Sequence, residues 1–271
     1  MPNILLQLLN SEQKLSSPSG EISDIKNFVQ KVRDSIKFSV NYSKFSNLTN
    51  WSFSNGMLQH TSGGFFKIKG LRQTFNDSVW NQPIIDQPEI GYLGIITKVF
   101  DDSLYFLLQA KLEPGNINGV QLSPTLQATK SNFSCLHNGK PPKYIDNFIK
   151  ARNENILVDQ LQSEQGARFL TKKNRNIIII DQDVEVDFDN FIWVSLGQLR
   201  HLIQEPNLIN MDTRTVLSGL SFMDYSEHEL FYYLNKNKII YNDFFMSEIT
   251  NLSADAMNNI HSKIANIKFS N

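Results

Sequence analysis

The chain has 271 residues, of which 41% are hydrophobic and 20% charged, so its composition is that of a folded protein rather than a disordered one. Its 26 Lys and Arg residues nearly balance its 27 Asp and Glu residues, so no overall positive field favours nucleic acid or a membrane surface. An anionic ligand would therefore need a local basic cluster.

Cysteine content and the start of the chain indicate the compartment. Cys135 is the only cysteine, so it has no partner for an internal disulfide. The opening stretch MPNILLQLLN lacks the basic start of a secretory signal, and no apolar run approaches the roughly 20 residues that span a bilayer. We therefore expect a soluble, cytoplasmic protein.

The chain begins with helical periodicity and then changes to strand periodicity. An apolar stripe at spacings of three and four predicts an N-terminal helix ahead of the main domain, on Ile22, Ile25, Val29, Val32 and Ile36. From Trp51 to about Ile180, β-branched and aromatic runs are separated by Gly, Pro, Asn and Asp. These runs predict a β-rich core.

The C-terminal part returns to helical patterns. Ser195 and Asp212 can each cap a helix, over LGQLRHLIQ and TRTVLSGL respectively. A further apolar stripe predicts a last helix, on Met257, Ile260, Ile264 and Ile267. We therefore expect an α+β fold with an N-terminal helical segment (1–45), a main module (46–225) and a C-terminal helical extension (226–271).

The stretch from Gly115 to Phe133 predicts a strand with two different faces. One face is apolar, and the other carries Gln121, Ser123, Thr125, Gln127, Thr129 and Ser131. Such a face can simply meet solvent, but solvent faces usually carry Lys and Glu. Uncharged amides and hydroxyls can instead bind sugar hydroxyls and a carbonyl. Pro124 would bend this strand or place it at an edge, which suits the rim of a cleft.

The densest positive cluster of the chain consists of Arg168, Lys172, Lys173 and Arg175. The planar fork of Arg and the mobile charge of Lys suit the oxygens of a diphosphate. A solvated turn at TKKNRN is the alternative for the two lysines. We expect Arg168 to lie within a strand, which makes it the preferred candidate.

A third candidate is His60, which precedes a Ser-Gly-Gly turn that lets the backbone approach a ligand closely. Its imidazole could exchange protons near neutral pH, and a hydrogen-bonded structural histidine is the alternative. The other histidines show no metal-ligand spacing, and HExxH is absent from the sequence. We therefore expect no metal site.

Common nucleotide-binding and hydrolase motifs are absent from the sequence. It contains no GxGxxG after a strand, no Walker GxxxxGK[ST] and no GxSxG elbow. From the residues alone, the inference ends at a soluble, β-rich domain with a polar and partly basic cleft.

Five blocks of the sequence carry a resemblance to a known family. In chain order they are HTSGGFF, WNQPIIDQPEIGYLGI, EPGNINGVQLSPTLQATKSNF, LQSEQGARFLTKKNRN and LGQLRHLI followed by NLINMDTRTVLSGL. Together they resemble the NDP-hexose 2,3-dehydratase family over roughly Trp51 to Leu220.

The resemblance implies a Nudix-like α+β module and a lyase. Such an enzyme removes the C2 hydroxyl and the C3 hydrogen of a nucleotide-linked 4-keto-6-deoxyhexose to give a 3,4-diketo-2,6-dideoxy sugar. The resemblance implies a dTDP-linked substrate such as dTDP-4-keto-6-deoxyglucose. It implies no cofactor, and the Nudix box of Mg²⁺-dependent pyrophosphate hydrolysis cannot be found in the sequence. Another NDP-4-keto-sugar enzyme, such as a ketoisomerase or epimerase, and a non-catalytic nucleotide-sugar binding module are the alternatives.

The matched blocks also supply candidate site residues. For acid and base the candidates, in order, are His60, Glu113 and Glu164, because each can change protonation. The candidates for substrate binding are Gln121, Ser123, Thr125, Gln127, Thr129, Lys130, Ser131 and Asn132, with Arg168, Lys172 and Arg175 toward the diphosphate.

Family members typically carry two such modules in one chain, whereas this sequence has one set of blocks. We therefore expect a homodimer that rebuilds the pair. The aromatic-rich stretch LFYYLNKNKIIYNDFFM (230–246) is the candidate interface, and ordinary core packing is its alternative.

Overall fold

The structure is a computed structural model that describes residues 4–129 and 141–222. These residues belong to one unit of the chain, Met1–Asp224. The predicted last helix, the candidate interface 230–246 and the candidates Lys130, Ser131 and Asn132 lie outside the described residues. The division of the chain at residues 45 and 225 stays a prediction.

Two helices precede the sheets and pack on the larger one. They are α1 (Ile4–Glu12) and α2 (Ile22–Ser35), joined through a small hairpin of β1 (Ser16–Ser17) and β2 (Gly20–Glu21). Ile25 and Val29, on the predicted apolar stripe of α2, are fully buried in the same core as Ile95 and Phe106 of the larger sheet. The N-terminal helices therefore help to form the main core.

A four-stranded antiparallel sheet follows. Its strands, adjacent in this order, are β3 (Trp51–Ser54), β4 (Met57–His60), β5 (Lys67–Phe75) and β6 (Ser78–Asp86). Large apolar side chains on it are exposed, among them Phe53, Phe75 and Trp80. Within the described part of the chain, this sheet is therefore only partly covered.

The larger sheet is mixed and has seven strands. They are β7 (Gly91–Phe100), β8 (Ser103–Leu112), β9 (Val120–Ser123), β10 (Leu126–Ala128), β11 (Ile156–Ser163), β12 (Lys173–Ile180) and β13 (Phe191–Ser195). The order is β11-β12-β7-β8-β13, with β10 beside β7 and β9 beside β8. β12 runs parallel to β7, and the other pairings of these strands are antiparallel.

Helices cover both faces of this sheet. The later helices are α3 (Ile145–Ile149), α4 (Leu196–Leu202) and α5 (Met211–Ser218), and short 3₁₀ helices occur at Phe45–Asn47, Asn153–Asn155 and Gly219–Phe222. One buried cluster joins the sheet to α1, α2, α4 and α5, and a second joins the opposite face to α3. The predicted α+β class is thus confirmed. No helix in the described ranges is long and apolar enough to cross a membrane.

β7 and β8 diverge, and the polar strand predicted from Gly115 onward fills the gap between them. β7 and β8 pair directly from Ile96 and Leu107 to their connecting turn, but beyond that point β7 pairs with β10 and β8 pairs with β9. At the branch point, the Thr125 hydroxyl accepts a hydrogen bond from Ile96 N–H at 2.9 Å and donates one to the Leu107 carbonyl. The predicted strand is therefore two short strands, broken at Pro124.

Candidate active site

Two hydroxyls of the predicted ligand-binding face are used by the sheet itself. Ser123 Oγ donates to the Gln109 carbonyl at 3.1 Å, and Thr125 bridges the two diverging strands. Both side chains are 1% exposed. Gln121 is also buried, and its Nε2 donates to Asn118 Oδ1 at 3.2 Å. The expectation that Ser123 and Thr125 contact a ligand is not supported by these hydrogen bonds, because the backbone already satisfies their hydroxyls.

Gln127, on the same predicted face, has a different role. Its Nε2 donates to Glu113 Oε1 at 3.0 Å, and its Oε1 accepts from Asn210 Nδ2 at 3.4 Å. Lys111 Nζ lies 3.2 Å from the same oxygen of Glu113. The Glu113 carboxylate is therefore oriented from two sides. Thr129 follows directly after β10 and is half-buried.

Gln127 belongs to a row of side chains that crosses four strands. Gln127 pairs with Leu93, Leu93 with Asn176, and Asn176 with Gln160. Directly paired residues on neighbouring strands point to the same face of a sheet. The next row contains Gly91, Asn174 and Gln162 in the same way. Amide side chains therefore dominate this part of the sheet.

A cavity of about 240 Å³ lies over these rows. Its lining includes Glu164, Asn174 and Asn176 on the sheet side and Met211, Asp212 and Thr215 of α5. A cavity of about 280 Å³ beside α3 is slightly larger, but its charged lining residues are already paired: Lys150 with Asp146, and Asp181 with Asn147, each at 2.8 Å. The chemistry of the lining therefore favours the cavity under α5.

Asp212 brings a third carboxyl group to Glu113 and Glu164. Burial raises the pKa of Asp212 to about 6, the charges of Glu113 and Glu164 act in the same direction, and Lys111 opposes them. A carboxyl group with such a pKa can hold or release a proton near neutral pH.

The predicted capping role of Asp212 is wrong. Asn210 is the N-cap of α5, and its Oδ1 accepts from Thr213 N–H at 2.8 Å. Asp212 lies two residues further along, inside the first turn, where its side chain lines the cavity. In contrast, Ser195 caps α4 as predicted, accepting from Gln198 N–H at 3.0 Å.

Glu164, directly after β11, is held at the edge of the cavity. Asn174 Nδ2 donates to its Oε2 at 2.7 Å, and Gln165 N–H donates to its Oε1 at 3.2 Å. Lys172 is buried nearby, and its Nζ donates to the Glu89 carbonyl. Burial lowers the pKa of Lys172, while Glu89 and Glu164 oppose that shift. Lys172 is therefore an interior cation and not part of a solvated turn.

The two arginines of the predicted diphosphate site lie apart from this cavity lining. Arg175 makes a two-point ion pair with Asp159, at 2.7 and 2.5 Å, and donates to the Tyr92 hydroxyl at 3.0 Å. Arg168 lies in an exposed turn between β11 and β12, not within a strand. Its carbonyl accepts from Ile85 N–H at 2.8 Å. The expectation that Arg168 is a strand residue is wrong.

His60 lies on β4, in the four-stranded sheet, and does not line the cavity. Its Nδ1 is 2.7 Å from Ser62 Oγ. Its ring packs against Trp51 and Phe65, with centroid separations of 5.5 and 4.6 Å. The structure thus brings together Glu113, Glu164 and Gln127 from the predicted set, but it does not bring His60 to them.

Sequence reasoning missed Asn174, Asn176 and Asp212. In KNRN the two asparagines alternate with charged residues, which is the same period of two that singled out the Gln127 stretch. Applying that pattern to β12 would have found them.

In residues 4–129 and 141–222, no group of three or more His, Cys, Asp or Glu could hold a metal ion.

The chain resembles known proteins over most of its length. The model of the NDP-hexose 2,3-dehydratase family matches residues 22–220. The dTDP-4-dehydro-6-deoxy-alpha-D-glucopyranose 2,3-dehydratase of Amycolatopsis orientalis is 44% identical over 218 residues, which are 77% of this chain and 46% of that protein. The enzyme of the same name from Saccharopolyspora spinosa is 45% identical over 192 residues, 69% of this chain and 40% of that protein. The chain thus spans about half the length of these relatives.

Among solved structures, an ADP compounds hydrolase is similar with a TM-score of 0.38 and 13% identity, over 74% of this chain and 98% of that chain. These values are too low to bear on the architecture, so the Nudix-like description stays an expectation from the family resemblance. The family match, together with 44% identity over 77% of the chain, shows that the chain belongs to the NDP-hexose 2,3-dehydratase family.

Proposed function

We propose that the chain removes water from a nucleotide-linked 4-keto-6-deoxyhexose to give a 3,4-diketo-2,6-dideoxy sugar. The observation that carries the proposal is that Glu164 and Asp212 line one cavity in a member of this family, where the charge of Glu113 also acts on Asp212. The relatives are named for dTDP-4-dehydro-6-deoxyglucose, so we take that 4-keto sugar as the substrate.

The reaction consists of proton transfers before, during and after the loss of the C2 hydroxyl as water. The C4 ketone acidifies the C3 hydrogen, a base removes that proton, and an enolate forms. The C2 hydroxyl then leaves as water after an acid protonates it, and a C2–C3 double bond forms. The resulting C3 enol takes a proton at C2 and loses the proton of its hydroxyl, which gives the C3 ketone. One water is lost and no oxidant is required.

These steps need one ionised and one protonated group close together. Glu164 lines the cavity and is oriented by two donors, so we assign it as the base at C3. Asp212, whose pKa burial raises to about 6, is assigned as the acid at the C2 hydroxyl. The negative charge of Glu113 repels an ionised Asp212 and so favours its protonated form. When two neighbouring carboxyl groups have different pKa values, the one with the higher pKa can act as the acid and the other as the base.

The deciding experiment is incubation with dTDP-4-keto-6-deoxyglucose, followed by mass spectrometry. The proposal expects loss of one water, and the adjacent ketones of the product can be trapped with an aromatic 1,2-diamine. An unchanged mass with an altered NMR spectrum would indicate a ketoisomerase or epimerase instead. An unchanged sugar that nevertheless stabilises the protein would indicate a binding module.

We also propose that two copies of the chain associate. Support comes from the exposed apolar side chains on the four-stranded sheet. Phe75 and Trp80, which are 72% and 65% exposed, lie on the same face of this sheet, because Trp80 pairs with Gln73, two residues before Phe75. Exposed apolar patches of this kind are typical of interaction surfaces. A second copy related by a two-fold axis would cover the same surface on both chains.

We also propose a cytoplasmic location, supported by the single cysteine of the sequence, since proteins of oxidising compartments often carry paired cysteines. Cell fractionation with a tagged chain tests this proposal, and recovery in a membrane or secreted fraction would contradict it.

A further inference from the structure

Asn176 is a buried amide whose hydrogen-bonding groups are unused. Its side chain is 1% exposed, and neither Oδ1 nor Nδ2 has a hydrogen-bond partner. In the parts of the chain that the structure describes, it is the one side chain with two such atoms. Buried polar groups in native proteins are nearly always paired, so an exception needs an explanation.

Two amide neighbours on the same face, in contrast, have hydrogen-bond partners. Gln127 links Glu113 to Asn210, and Asn174 donates to Glu164. The buried amide of Gln198, far along the chain, also uses both ends: Oε1 accepts from Ser195 N–H at 3.0 Å, and Nε2 donates to the Gly20 carbonyl at 2.9 Å. The sequence thus satisfies buried amides elsewhere, but it leaves Asn176 without a partner.

The backbone holds Asn176 in place beside the cavity. β12 is paired on both sides, with Asn176 opposite Leu93 of β7 and Gln160 of β11. Such a central position allows little backbone movement, so the side chain is presented in a fixed place. Asn176 and Asp212 both line the same cavity, from the sheet and from α5 respectively. A rigid, unpaired amide in a cavity lined by acid and base candidates is suited to bind a ligand.

We propose that Asn176 recognises the α-hydroxyketone of the sugar, its Nδ2 donating to the C4 carbonyl oxygen and its Oδ1 accepting from the C3 hydroxyl. This assignment rests on the proposed function. An amide offers one donor and one acceptor side by side. An α-hydroxyketone offers the complementary acceptor and donor on adjacent carbons. A sugar with a C4 hydroxyl lacks the carbonyl that fixes this pairing.

The same contact would assist the reaction. When the C3 proton leaves, negative charge moves to the C4 oxygen, and the hydrogen bond from Nδ2 strengthens with that charge. The surrounding carboxyl groups would repel this charge, and a hydrogen-bond donor at this position would offset that repulsion. One such oxyanion donor is worth about 10²- to 10³-fold in turnover.

The test is Asn176→Leu, which keeps the number and branching of the side-chain heavy atoms while removing the amide. We expect its unfolding temperature to equal or exceed that of the wild type, because an unsatisfied buried amide is lost. Turnover of dTDP-4-keto-6-deoxyglucose should fall about 10²- to 10³-fold. The matched control is Gln198→Met, which removes a fully paired amide and should lower the unfolding temperature without changing ligand recognition.

Binding is measured separately by thermal shift in the Asp212→Asn background, where we expect turnover to be slow. There Asn176→Leu should abolish the extra stabilisation that the 4-keto sugar gives over dTDP alone. If Asn176→Leu abolishes this extra stabilisation but the wild type shows no turnover, Asn176 recognises the sugar and the proposed dehydratase function is wrong. The inference is overturned if Asn176→Leu lowers the unfolding temperature as much as Gln198→Met. It is also overturned if the 4-keto sugar stabilises neither Asp212→Asn nor the double variant with Asn176→Leu more than dTDP does. Should the leucine variant fail to fold, Asn176→Ala, which removes the amide without adding bulk, takes its place in the binding comparison.

Discussion

Gln127 Nε2 donates a 3.0 Å hydrogen bond to Glu113 Oε1, which joins the end of β10 to the segment that follows β8. The contact connects one predicted substrate-binding residue with one predicted catalytic residue. It also positions Glu113 close enough to raise the pKa of Asp212 by charge repulsion. This part of the predicted site is therefore a connected network.

Removal of the Asp212 carboxyl tests the acid. We expect Asp212→Asn to lower turnover about 10²- to 10⁴-fold, the usual value of general acid catalysis. In the wild type, kcat/KM should fall as pH rises through the pKa of about 6, since the acid must be protonated. The exposed residue Asp146, on α3, gives the control Asp146→Asn, which should keep full activity. Full turnover in Asp212→Asn would contradict the assignment.

Asp212 should also affect the pH dependence of stability. Its pKa is raised from 3.8 to about 6, so the folded protein binds this proton more tightly than the unfolded chain. The resulting stabilisation is absent above pH 6 and grows as pH falls toward 3.8. Over that window the wild type should gain on the order of 3 kcal/mol relative to Asp212→Asn. Urea unfolding at pH 7, 5 and 4 measures the difference, and parallel pH profiles for the two proteins would refute it.

Glu164 and His60 offer a direct comparison between two predicted proton-transfer residues. Glu164→Gln removes the base beside the cavity and should lower turnover about 10²- to 10⁴-fold while keeping dTDP binding. His60→Asn changes a ring that packs against Trp51 and Phe65 on the other sheet, and we expect turnover to stay within a few-fold. A large loss in His60→Asn with normal stability would return His60 to the catalytic set.

The Thr125 hydroxyl should matter for stability rather than for binding. Thr125→Val keeps the shape but leaves Ile96 N–H and the Leu107 carbonyl unpaired at the branch of β7 and β8. A buried group without its partner costs about 1–3 kcal/mol, so the urea midpoint should fall accordingly. Thr74→Val, at an exposed position of β5, is the control and should be nearly neutral. If Thr125→Val instead weakens dTDP-sugar binding at unchanged stability, the hydroxyl contacts the ligand as predicted from the sequence.

The association of two chains is tested by light scattering at micromolar concentration. The monomer mass is 31.1 kDa, and the proposal expects twice that value. Replacing Phe75 and Trp80 with Ser should dissociate the dimer while the far-ultraviolet spectrum is retained, since both side chains are exposed on the four-stranded sheet. The paired change of Phe231 and Tyr232 to Ser tests the stretch 230–246 in the same way. A wild-type mass of one chain would remove the proposal.

Much of the fold follows from local pattern. The apolar stripe of α2, the Ser195 cap and the β-rich middle depend only on the type and spacing of residues that are close together in the sequence. The α+β class followed from these elements. Glu113 and Glu164 were also found from the sequence, because the family resemblance marks their blocks.

The tertiary structure decided what each polar side chain faces. Alternation along a strand assigns Thr125 and Gln127 to one face, but it does not say that the first meets a branch between strands and the second a carboxylate. Those partners are distant in sequence, and only the strand pairing brings them into reach. The sequence pattern likewise predicted Asp212 as the helix cap, whereas the backbone geometry places Asn210 at that position. Asp212 and Asn176 became candidates only because packing buried them at one cavity, where an ionised carboxyl and an unpaired amide are both energetically costly.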